Sequence, residues 1–153
     1  MEYAKTFDMA GFDGIAHAGV AIVTCMDSRL APLAMVGLKP GDAKIFRNPG
    51  GRVTEQALEA LVLGVHLLNV RRILVIPHTR CAMSASSERE LRQKITESAG
   101  VSADWQMFNV VTDQVAALED DIQAIRTHPL IPDTIPVGGF MYDVDTGLLD
   151  ELF

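Results

Sequence analysis

Two spacings of apolar residues alternate along this chain. Short unbroken runs, Ala21-Ile22-Val23-Thr24 and Ile73-Leu74-Val75-Ile76, carry no polar alternation and predict strands covered on both faces in a parallel sheet. Between them, Leu58, Leu61, Val62, Val65 and Leu68 recur at helical spacing behind Thr54, a residue suited to cap a helix start. Ser87 and Glu90 have capping-box spacing and open a more polar helix to about Ser98, ended by Gly100. A third helix is expected from about Asp104 to Arg126, with Val111, Val115, Leu118, Ile122 and Ile125 on one side. Pro129, Pro132 and Pro136 stop it. Residues 43–46 and 139–144 complete the strand candidates, and Lys39-Pro40-Gly41-Asp42 and Asp145-Thr146-Gly147 read as turns.

Strand–helix alternation of this kind implies an α/β fold: a single domain with a mainly parallel central sheet flanked by helices on both faces. At 153 residues the chain is long enough to bury a core unaided. Residues 1–19 hold three glycines and no clear period, and read as an N-terminal arm; residues 20–153 form the domain. Ligands in open α/β sheets sit outside the carboxyl ends of the strands. Right-handed crossovers bring those ends to one edge. Cys25 follows the first strand, the loop 47–51 follows the second, and His78 follows the strongest one.

Charge narrows the partners. A net charge of −7, with no basic cluster, argues against nucleic acid and against an anionic membrane surface. Lys5 is the only Lys or Arg before Arg29, and no apolar stretch precedes a small-residue cleavage site, so a cytoplasmic location is expected. In a reducing compartment two cysteines far apart in sequence are metal ligands, catalytic thiols or packing residues rather than a structural disulfide.

Both cysteines fall at candidate strand ends. His78 and Cys81 are two residues apart, close enough for one turn to offer both side chains to one ion, and Cys25 can supply a third ligand from a neighbouring strand. Thiolate and imidazole suit zinc. The same residues are compatible with buried free thiols and a hydrogen-bonded histidine. Asp27 and Arg29 share a face if their segment stays extended, so the guanidinium can bind the carboxylate through two hydrogen bonds and hold it ionised. Released by Arg29, Asp27 would become a fourth ligand. A plain surface ion pair is the alternative. Gly50-Gly51 lacks the dinucleotide-binding pattern, and no P-loop occurs.

Cys25-Met26-Asp27-Ser28-Arg29, Arg47-Asn48-Pro49-Gly50-Gly51 and His78-Thr79-Arg80-Cys81 resemble, in order, three signatures of the β-class carbonic anhydrases. Residues 139–147 are similar to that family's closing strand and turn. The resemblance implies Zn2+ held by Cys25, His78 and Cys81, with Asp27 and Arg29 as the catalytic partner pair. It also implies a homodimer or homotetramer with the cleft near a subunit interface. The expected activity is reversible hydration of CO2 to bicarbonate and a proton. Some relatives hydrolyse carbonyl sulfide or carbon disulfide, which the same motifs would serve; a catalytically weak or purely structural zinc site and a redox-active cysteine pair are further readings. The chain departs from the family pattern at Arg80, usually Asp, at Ala82, usually Gly, and at Pro49, usually Ala. None of these removes a ligand; they bear on rate and substrate preference. His17, His66 and His128 are proton-shuttle candidates by residue type alone.

Overall fold

Six consecutive buried residues, Val20–Cys25, form β1, and their burial on both faces follows from their place in the sheet. The computed structural model describes residues 1–153. Five strands lie in the order β2-β1-β3-β4-β5, with β2 at Ala43–Asn48, β3 at Arg72–Ile76, β4 at Val137–Tyr142 and β5 at Leu149–Glu151. The first four pair in parallel; β5 returns antiparallel on β4. The mainly parallel sheet expected from the apolar runs is therefore observed. The short closing strand β5 was not anticipated. It follows a turn in which Asp143 accepts hydrogen bonds from the Asp145 and Thr146 N–H groups.

Four helices complete the domain: α1 (Pro32–Met35), α2 (Glu55–Leu67), α3 (Glu88–Ala99) and α4 (Gln114–Arg126). The Thr54 hydroxyl caps α2, Ser87 and Glu90 make the anticipated capping box, and Gly100 ends α3 in the left-handed conformation. Both α2 and α4 pack on one face of the sheet. Ala57, Leu61, Leu118, Ile122 and Ile125 meet Ala21, Val23, Ile73 and Val75 there in the main core. The other face, with Val20, Ile22 and Ile76, is covered by Met35 at the end of α1 and by Val36, Leu38, Phe140 and Tyr142. Alternate strand residues thus serve two unequal cores, as the two-residue period requires.

Helix α4, expected from about Asp104, is shorter than its apolar period suggests. It starts at Gln114, because the Asp113 carboxylate accepts the N–H groups of Val115 and Ala116 and so serves as cap. Residues 104–113 are not helical. Val111 donates its N–H to the Met83 carbonyl, and its buried side chain belongs to that crossing, not to a helix face. Val115, expected in the core, is exposed, and Asp121 shares the buried side with Leu118, Ile122 and Ile125.

The loop after β2 lies against β1 at very short range. Gly51 has φ +68°, and a Cβ there would stand 2.9 Å from the Cys25 nitrogen. Gly51→Ala is expected to cost about 1–3 kcal/mol from the left-handed backbone alone, with the steric clash added. A lowered urea midpoint of the metal-free protein checks this.

Candidate metal centre

The carboxyl ends of β1, β2 and β3 stand side by side. Cys25 pairs in register with Asn48, and Thr24 with Ile76, so the chain leaving β3 delivers His78 beside Cys25. A lone parallel bridge to Tyr142 and the Thr79 N–H bond to the Tyr142 carbonyl fix that exit against β4. The ligand atoms of Cys25, His78 and Cys81 all lie within 4.8 Å of one another, and all three side chains are buried. The two sulfurs are 3.9 Å apart.

The histidine reports most about what belongs there. Its Nδ1 lies 2.8 Å from the Thr79 carbonyl oxygen, which can only accept, so Nδ1 carries the proton. Nε2 is then a bare lone pair. It is fully buried and has no hydrogen-bond partner, an expensive state for a polar atom unless a Lewis acid meets it. A lone pair facing two sulfurs fits a thiophilic divalent metal. The Gln114 amide donates to the His78 carbonyl at 2.8 Å and steadies the same residue from α4.

Asp27 stands beside the cluster, its Oδ2 3.7 Å from His78 Nε2. Arg29 grips it through three contacts. Its backbone N–H and Nε both donate to Oδ1 at 2.9 Å, and Nη2 donates to Oδ2 at 2.7 Å. These hydrogen bonds hold the Asp27 carboxyl well below the usual carboxylate range. Two donors occupy Oδ1, whereas Oδ2 keeps one lone pair free, and that oxygen is the one nearest the histidine. Arg29 is itself anchored by the Arg80 carbonyl at 3.1 Å. Arg80 has φ +54°, which turns its carbonyl toward Arg29, and its side chain pairs with Asp145 at 2.7 Å.

Further supports come from the 47–51 motif at the end of β2. Arg47 donates to the Cys25 and Asp27 carbonyls, and the Gly50 N–H lies 3.3 Å from Cys25 Sγ. Backbone donors of this kind have no residue signature. His17 bonds Asp13, His66 the Leu130 carbonyl and His128 the Leu130 N–H, so all three histidines make their contacts elsewhere.

Residues 20–149 match the sequence model of the family described as carbonic anhydrase. The chain is 32% identical over 133 residues to beta-carbonic anhydrase 1 of Mycobacterium tuberculosis, covering 87% of this chain and 81% of that protein. It is 30% identical over 149 residues to the carbon disulfide hydrolase of Acidithiobacillus thiooxidans, covering 84% and 74%. The crystal structure of carbonic anhydrase from Streptococcus mutans superposes with a TM-score of 0.90 at 37% identity, covering 99% of this chain and 92% of that one.

Burial pushes the Cys81 thiol up, so a metal must displace its proton, and affinity should rise with pH through neutrality. Competition with a chromophoric chelator at about pH 6.5 and 8 is expected to show tighter binding at the higher pH. His78→Ala and Cys81→Ser should each lose more than the roughly 10- to 100-fold typical of outer partners.

Proposed function

Because the chain belongs to the β-carbonic anhydrase family, we propose that it is a zinc enzyme that reversibly hydrates CO2 to bicarbonate and a proton. The observation that carries this reading is the partnerless His78 Nε2, buried among two thiols beside a carboxylate that arginine keeps charged. Cys25, His78 and Cys81 would hold the ion, and their donor set suits zinc. When bound, zinc supplies Lewis acidity that brings the ionisation of water to near neutral pH.

The remaining work falls to Asp27 and Arg29. The spare lone pair on Asp27 Oδ2 would accept a hydrogen bond from the attacking oxygen and so turn that oxygen's own lone pair toward the carbon of CO2, with no proton passing to the carboxylate. A charged carboxylate is needed for this, and Arg29 keeps it so. Arg29 also draws Asp27 back toward itself, so the carboxylate does not become a fourth ligand while the fork is closed. The buried surroundings of Cys25, Leu30 and Cys81 suit an apolar gas. The same geometry would serve any linear heterocumulene. The similarity to a carbon disulfide hydrolase favours carbon disulfide or carbonyl sulfide as the second reading.

We also infer a homo-oligomer, dimer or tetramer. Strand β2 is an uncovered sheet edge carrying Ile45, and an apolar groove beside it is lined by Ile22, Phe46, Leu61 and Leu63. No helix is long and apolar enough to cross a membrane; a cytoplasmic location is part of the proposal and rests on the sequence reading alone.

Stopped-flow hydration paired with metal analysis tests the assignment. Asp27→Asn is expected to keep its zinc and lose roughly 100- to 10,000-fold in turnover. Full activity in that variant would overturn the role given to Asp27. A parent chain inert on CO2 that consumes carbon disulfide or carbonyl sulfide would establish the second reading.

A further inference from the structure

Arg52 and Asp121 take no part in the chemistry above, yet they form the most enclosed arginine–carboxylate pair in the molecule. Asp121 is 7% exposed at its side chain and lies on the core side of α4. Arg52 meets it with a two-pronged fork, Nε to Oδ2 at 2.7 Å and Nη2 to Oδ1 at 3.0 Å. A buried pair of this kind is weak evidence for stability, since apolar residues of similar size often serve as well or better. Its value lies in holding something in place.

What it holds is the end of the loop after β2. The Asn48 side chain bonds both the N–H and the carbonyl of Arg52, at 2.8 and 2.7 Å, and so cinches residues 48–52 into a closed unit. Within that unit Gly51 rests on the Thr24–Cys25 peptide, and Gly50 points its N–H at Cys25 Sγ. Arg47 fastens the other side of the loop to the Cys25 and Asp27 carbonyls. The chain of contacts runs without a gap from α4 through Arg52 and Asn48 to the sulfur.

We propose that Arg52 and Asp121 are a positioning pair for the metal centre: the fork locks the 48–52 loop so that the Gly50 N–H stays on Cys25 Sγ and the sulfur stays aimed at Cys81 and His78. This rests on the reading of those three residues as ligands. Outer-layer partners that orient ligands typically contribute 10- to 100-fold in metal affinity.

The test uses the whole chain, zinc competition against a chromophoric chelator, and the sulfur-to-metal charge-transfer band of the cobalt(II)-loaded protein. Asp121→Asn breaks the fork but leaves Arg52 charged. A second variant, Arg52→Met with Asp121→Leu, removes both charges and guards against misfolding. Each is expected to bind zinc roughly 10- to 100-fold more weakly than the parent and to shift the cobalt band, with the helix content unchanged. A purely structural pair would lower the unfolding midpoint of the metal-free protein and leave the band and zinc affinity where they were. That result in either folded variant overturns the proposal. A parent chain that took up no zinc would sink the ligand reading and this inference together. Parent and variants binding zinc equally well would sink this inference alone.

Discussion

A buried nitrogen without a partner constrains the whole centre. His78 is sealed by the strand it follows and by Tyr142 beside it, and its ring is turned by the Thr79 carbonyl so that Nε2 presents a lone pair to the interior. Leaving such an atom unmatched costs about 1–3 kcal/mol, which a fold bears where the atom has work to do. The two thiols share that interior, so the local cost is concentrated in one small volume. Sheet register makes this possible. Because Thr24 faces Ile76 and Cys25 faces Asn48, three strand exits open at the same height.

Around this centre charge is arranged by fixed hydrogen bonds. Arg47 braces two backbone carbonyls, Arg29 occupies three of the four lone-pair directions of Asp27, and Arg80 offers its carbonyl to Arg29 while its own guanidinium is tied to Asp145. The positive charge that Arg80 brings is thus paired at the rim. What Arg80 changes most directly is geometry: a non-glycine residue in the left-handed region, held there by a contact to the β4–β5 turn. Arg29 therefore depends on a turn more than 110 residues further along the chain.

Much of this was legible from residue pattern, and the gaps have physical causes. The apolar runs ending at Thr24 and Ile76 marked the strands, and the residues after them marked the sheet edge on which Cys25 and His78 stand. The caps Thr54 and Ser87 acted as their side-chain chemistry suggested. The start of α4 is obscured in the sequence because Val111 and Val115 continue the helical period, while the Asp113 side chain outcompetes it by capping. Strand β5 is only three residues long, two of them acidic, and so too short to show a period of its own. The loop's contact with the Cys25 sulfur passes through the Gly50 backbone N–H, a group every residue but proline possesses. Asp121 does carry a sequence signal, since it interrupts the apolar face of a helix at a core position.

The distance along the chain between Cys25 and His78 sets an order of events in synthesis. The His78–Cys81 turn alone offers two donors, and the third arrives only when β1 and β3 lie side by side. Strand β2 lies between them in sequence and is laid down on the far side of β1. A ribosome must therefore release both neighbours of β1 before the three donors can meet, so the nest closes only after the chain has passed Cys81, with β4 and β5 still to come.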